Sequence, residues 1–169
     1  MVDIGKILLS QIDLYYGKIS MPKGYEIDRV ELKDIIIKHL LQDCPFPFSI
    51  EWDKLNTFLT DHIRVEHNLQ LISKLTHGYM FNPNETSQPQ LDIEPVDLRN
   101  SPDYTMLYGV DVKNCHIKIF YDQNRRKDRT WDIPLENNEF IMFPSTQNYI
   151  IINKTDKINI LLKQTYEFI

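Results

Sequence analysis

Asn138-Glu139-Phe140-Ile141-Met142-Phe143-Pro144-Ser145 is the stretch whose reading decides the fold. Four apolar residues stand between polar flanks, too few for a stable helix. Pro144 lacks a backbone donor, which confines it to a strand end. Two further apolar runs follow, Tyr149 to Asn153 and Ile158 to Phe168, divided by the turn Lys154-Thr155-Asp156. Upstream, Tyr104 to Val112 reads as a strand and Lys113-Asn114 as a turn. Cys115 to Tyr121 alternates, with Lys118 opposite Ile117 and Ile119. Asp122 to Arg129 is a charged loop, and Thr130 to Pro134 a short strand. Strands at about ten-residue spacing with no helix between them predict a β-sandwich or jelly roll.

The N-terminal portion reads differently. Asp28 precedes an apolar-periodic segment to Leu41, with Glu31 three residues on, the capping-box pattern. Val30, Ile37 and Leu41 mark its expected buried stripe, widened by Ile35, Ile36 and Leu40, with His39 on the flank. Cys44-Pro45-Phe46-Pro47-Phe48 is a linker in which two prolines forbid a helix. Ser49 caps a second helix ending near His67, with Trp52, Leu55, Leu59 and Ile63 as its buried face. Ile7 to Ile19 fits helical and strand periods alike, and Gly17 is expected to end it. Leu69 to Phe81 reads as one strand, or two broken at Gly78. Asn82 to Asn100 reads as a long loop. The expectation is one domain over 1–169, mainly β, with a helical part over 1–68 and a β core over 69–169.

With 169 residues the chain can bury a core unaided by metal or disulfide. A net charge of −5 argues against broad, sequence-independent nucleic-acid binding. Cys44 and Cys115 are expected to stay reduced. Met1 to Leu14 lacks signal-peptide character and no apolar run is long enough to span a bilayer, so a cytoplasmic protein is expected. Alanine is absent while Ile, Asn and Lys abound, as in an AT-rich phage genome. Host cytoplasm or virion would then be its place.

The strand order from Gln88 to Phe168, with Glu139-Phe-Ile-Met-Phe-Pro-Ser145 near its end, resembles the double-stranded β-helix of 2-oxoglutarate/Fe(II) oxygenases. The small enzymes of phages and marine microbes are the nearest in pattern. That resemblance implies a facial triad of two His and one carboxylate on iron. It places Asp92 as the carboxylate, Gln90 where the first His belongs and Tyr149 where the second belongs. It assigns Lys157, before the last strand, to the oxoglutarate carboxylate, with the charge but not the fork of arginine. One ligand of three survives. The resulting expectation is a non-catalytic roll, without cofactor, that binds a protein partner and is compatible with an oligomer. The alternative is an active dioxygenase using Fe(II) and 2-oxoglutarate, with His77 as the first candidate for the missing ligand and Asp92 as the carboxylate. A cupin-like sugar or nucleotide module is a third reading.

Other candidates have plainer readings. His62 and His67 are five apart, not at the i, i+4 spacing of a helix face. Arg125, Arg126, Lys127 and Arg129 could meet phosphate but read as a solvated hairpin tip. Asp92, Glu94 and Asp97 could bind a cation or simply solvate a loop. His116 faces away from the core. No glycine-rich phosphate loop or marked nucleophile pair occurs.

Overall fold

A computed structural model describes residues 5, 7, 12–120 and 130–169. The order is β1 (Tyr15–Lys18), α1 (Arg29–Gln42), α2 (Ile50–His67), β2 (Leu71–Phe81), β3 (Tyr104–Asp111), β4 (Cys115–Phe120), β5 (Thr130–Leu135), β6 (Glu139–Pro144), β7 (Asn148–Asn153) and β8 (Asn159–Phe168). A five-stranded antiparallel sheet, β1-β6-β3-β8-β2, faces a three-stranded one, β5-β4-β7. The expected roll with N-terminal helices is the observed architecture. The basic cluster Arg125, Arg126, Lys127 and Arg129 lies outside the described residues.

Three layers result. Between the two sheets lie Phe81, Leu107, Ile117, Ile119, Leu135, Ile141, Phe143, Ile151 and Leu161. The larger sheet's other face carries Met106, Tyr108, Met142, Leu162 and Tyr166 against Leu32, Ile36, Trp52, Leu55, Leu59 and Ile63 of the helices. Strands β3 and β8 are therefore covered on both faces, which is why they read as near-continuous runs rather than alternations. Strand β4 has one covered face, and its alternation is clean.

The helix caps follow the sequence. Asp28 accepts from the Val30 and Glu31 amides at 2.9 and 3.1 Å, and Ser49 Oγ accepts from the Trp52 amide at 3.2 Å. The return bond expected of Glu31 comes instead from α2, where Glu51 accepts from the Asp28 amide at 2.7 Å. That bond is the main reason the Glu51 carboxyl is held below its ordinary range.

Two expectations change, and one open alternative is decided. Helix α1 buries Leu32, Ile36 and His39, while Val30 and Leu41 are exposed. The cause is Gly78, whose missing Cβ would stand 2.6 Å from Ile36 Cγ2; α1 seats on that gap. Gly78 thus lies within an unbroken β2, whose irregularity falls between Ser73 and Thr76. Gly17 sits inside β1, paired with Phe140. That strand comes from the portion expected to be helical.

Neither cysteine is paired. Cys115 is buried between the sheets, and burial pushes its thiol up to about 12. A thiol reagent at neutral pH is expected to modify Cys44 rapidly and Cys115 only after unfolding, countable by mass spectrometry.

Candidate functional site: the interior of the roll

The segment expected as a free loop is tied down in its first half. Ser87 and Gln90 donate their amides to Ile151 and Tyr149 at 2.8 Å each, and Tyr149 returns its amide to Gln90 at 3.1 Å. The Asn153 amide donates to Glu85 at 2.9 Å. Residues 85–90 thereby line the free edge of β7 and deliver Asp92 into the roll.

There Asp92 meets groups from three strands. Lys163 Nζ of β8 donates to Asp92 Oδ1 at 2.6 Å. Thr105 of β3 and the Tyr149 hydroxyl of β7 donate to Oδ2 at 2.8 and 2.9 Å. Ser145, past β6, shares a hydrogen bond with Thr105 at 2.9 Å. The ammonium of Lys163 also stands 5.4 Å from the Tyr79 ring centroid, a cation–π contact. The side chains of Lys163 and Asp92 are only 11 % and 9 % exposed. Buried charges of this kind persist only when paired and hydrogen-bonded, and both are.

The titration behaviour agrees with that pairing. Burial pulls the Lys163 ammonium down, but Tyr79 and Asp92 more than offset it, and the net shift is upward. Burial drives the Tyr149 phenol far above its ordinary value, with Asp92 and Tyr79 adding to the rise. Tyr149 therefore keeps its proton and serves as a donor to Asp92.

Of the residues singled out by sequence, Asp92 and Tyr149 meet in the interior. Gln90 reaches Tyr149 through its backbone, and its side-chain amide donates to the Gln88 carbonyl at 3.2 Å. Lys157 is exposed in the turn before β8, which begins at Asn159; its carbonyl accepts from Asn153 at 2.7 Å. The interior lysine is Lys163, six residues further on. His77 packs edge-on to His39 and Tyr79, with ring centroids 5.2 and 5.0 Å away. His116 pairs with Asp132 at 2.8 Å on the other face of the small sheet, and His62 caps back onto the Phe58 carbonyl at 2.9 Å. Glu94 and Asp97 organise their own loop: the Asp97 amide donates to Glu94 at 3.0 Å.

The interior does not suit a facial-triad metal. Such a site needs two imidazoles beside the carboxylate. Here one carboxylate oxygen faces an ammonium and the other accepts from two hydroxyls. The side chain at the position of the second His is a phenol that holds its proton. Among the described residues no three His, Cys, Asp or Glu side chains are grouped to hold a metal ion.

The fold is that of known oxygenases. A prolyl-4-hydroxylase from Pseudomonas putida superposes with a TM-score of 0.64 at 11% identity, covering 91% of this chain and 87% of that one. The non-heme α-ketoglutarate-dependent epimerase SnoN of nogalamycin biosynthesis gives 0.61 at 7% identity, over 90% and 76%. The carbocyclase SnoK of the same biosynthesis gives 0.59 at 8% identity, over 90% and 78%. No protein-family model matches the sequence, and no curated protein is detectably similar to it. The structural likeness thus extends beyond Gln88–Phe168 to the helices, and at these identities it is a likeness of fold.

Proposed function

We infer that the chain is a non-catalytic protein on an oxygenase-type roll, and that it works through protein–protein contacts, as a structural or accessory component of a phage. One observation carries the first half. Lys163 supplies a tethered monovalent cation to the carboxylate that a triad would offer to iron, so Asp92 is already neutralised from within the chain. The hydroxyls of Tyr149 and Thr105 complete its hydrogen bonding, and no donor is left waiting for a ligand.

The second half is supported by the outer surface. Tyr25, Val30, Leu41, Phe48, Ile50 and Val65, from the helices and the segments flanking them, are all exposed. Exposed apolar side chains that cluster are the material of a binding face. No helix among the described residues is long and apolar enough to cross a membrane.

The test of the first half is direct. Supplied with Fe(II), O₂ and 2-oxoglutarate, the protein is expected to form no succinate. Its melting temperature in Mn(II) is expected to be unmoved by adding oxoglutarate, since only a ligand of the folded state raises it. Turnover, or an oxoglutarate-dependent rise, overturns the reading and restores an active dioxygenase. For the second half, Phe48→Glu is expected to keep the melting temperature and abolish binding by a partner that uses this face.

A further inference from the structure

Helix α1 has two apolar faces, and the fold uses one of them. At about 100° per residue, Leu32, Ile36 and His39 fall within one arc of the helix, and Val30, Ile37 and Leu41 within the opposite arc. The first set is buried against the larger sheet, where Gly78 makes room for Ile36. In the second set Val30 and Leu41 are 68% and 75% exposed, with Ile37 half-buried between them. Helix propensity does not account for that stripe, since Val and Ile are poorer helix formers than the Lys, Glu or Gln usual on a solvated face. Asp34 stands on the same outer arc and Lys38 at its edge. Both are exposed, and neither side chain has an ionic partner among the described residues. The neighbouring cations are turned inward: Lys33 pairs with Asp111 at 2.5 Å, and Arg29 donates to the Val110 carbonyl at 3.3 Å.

We propose that this outer face of α1 pairs with the same face of a second copy of the chain, the two helices running antiparallel about a twofold axis. The order of the residues is self-complementary in that sense. Val30 lies one turn before Asp34, and Leu41 one turn after Lys38. An antiparallel match that brings Asp34 to Lys38 of the second copy therefore brings Val30 to its Leu41, and the twofold repeats both pairs. Ile37 of each copy then packs beside the axis. A parallel match in register would set Asp34 against Asp34 and Lys38 against Lys38, which like charges oppose. The apolar side chains supply the attraction, and the two ion pairs at the rim fix direction and register. Because α1 seats on its own sheet by the opposite arc, the two rolls stand on the outer sides of the helix pair. The 14 residues of α1 span about 21 Å, a small contact, so the dimer is weak and concentration-dependent. The inference rests on the reading that the chain works through protein contacts, and it names the partner for the α1 part of that surface.

Sedimentation of the full chain from about 5 to about 500 μM, the range a weak interface requires, tests it. The weight-average mass is expected to climb from the monomer value toward the dimer value across that range. Leu41→Glu, at an exposed position, is expected to hold the mass at the monomer value with the melting temperature unchanged. Asp34→Lys alone and Lys38→Asp alone are each expected to stay monomeric, since each sets two pairs of like charges together across the axis. Mixed in equal amounts, the two charge variants are expected to form a heterodimer, because every pair is then of opposite sign. A purely structural effect of either substitution would not be repaired by mixing. A chain that stays monomeric at about 500 μM, a dimer that Leu41→Glu leaves intact, a dimer indifferent to both charge changes, or charge variants that stay apart when mixed overturns the proposal. The two failures are separate: a monomeric chain refutes the self-pairing, whereas partner binding unaffected by Phe48→Glu refutes the wider reading of the surface.

Discussion

Lys163→Met is expected to destabilise the fold by about 3–5 kcal/mol, the usual cost of stranding one member of a buried ion pair. Methionine keeps the length and most of the volume, so the loss reports the charge. The two hydroxyls on Asp92 Oδ2 remain, but Oδ1 then faces an uncharged thioether in a place almost closed to water. Removing the acid as well reverses most of the damage. Asp92→Leu/Lys163→Met with Tyr149→Phe should return to within about 1 kcal/mol of the wild type, because apolar replacements of buried ion pairs are often neutral or better. Urea unfolding of the single and combined variants gives the coupling directly. The pH dependence has a definite sign. In the wild type the Lys163 pKa is raised, so its contribution is complete below the ordinary lysine value of 10.5 and is lost only as pH climbs past the raised one. A loss under about 1 kcal/mol for Lys163→Met would mean a wet site, and the ammonium would no longer stand in for a metal.

The same pair shows where a sequence stops being legible. The strand pattern was readable because each strand's period is local: Cys115 to Phe120 alternates whatever it packs on. The caps at Asp28 and Ser49 were readable for the same reason. Asp92 and Tyr149 were within reach through the resemblance to a known roll. Lys163 was not, because its partner is 71 residues away. A signal did exist. Lys163-Gln164-Thr165 interrupts an apolar strand, and all three are buried. Polar residues in a strand covered on both faces must each find a partner: Lys163 takes Asp92, Gln164 takes Trp52 and Thr76, and Thr165 takes the Leu75 backbone. Helix α1 misled for a related reason. Ile35, Ile36, Ile37, Leu40 and Leu41 offer apolar groups on several sides, and the choice among them was made by Gly78, a glycine on another element. Strand β1 was ambiguous because four residues gain their structure from pairing with β6, not from their own pattern.

The expected division into a helical part and a β core invites a second large effect. Trp52→Ala should cost about 3–5 kcal/mol, and the helices and sheets should still melt in one transition. Trp52 is 5% exposed, and its ring centroid lies 5.8 Å from that of Tyr108. Its indole donates to Gln164 Oε1 at 3.1 Å, and the same oxygen accepts from Thr76 at 2.5 Å. One side chain of α2 thus touches β3 and β8 and shares an acceptor with β2. Truncation opens a cavity over the larger sheet and leaves Gln164 short of a donor, whereas Trp52→Phe removes only the indole bond and should cost markedly less. Circular dichroism of the helices and the near-ultraviolet signal of the tyrosines should move together for both variants. The physical reason is that the larger sheet has no face of its own to show to water. Met106, Tyr108, Leu162 and Tyr166 are fully buried only because Leu32, Ile36, Trp52, Leu55 and Leu59 cover them. A fragment beginning at residue 69 would expose that row and also lose β1 from the edge of the sheet, so it should aggregate or remain unfolded. Separate transitions for helices and sheets, or a folded fragment 69–169, would show that the helices are an attachment to an independent roll rather than the third layer of a single one.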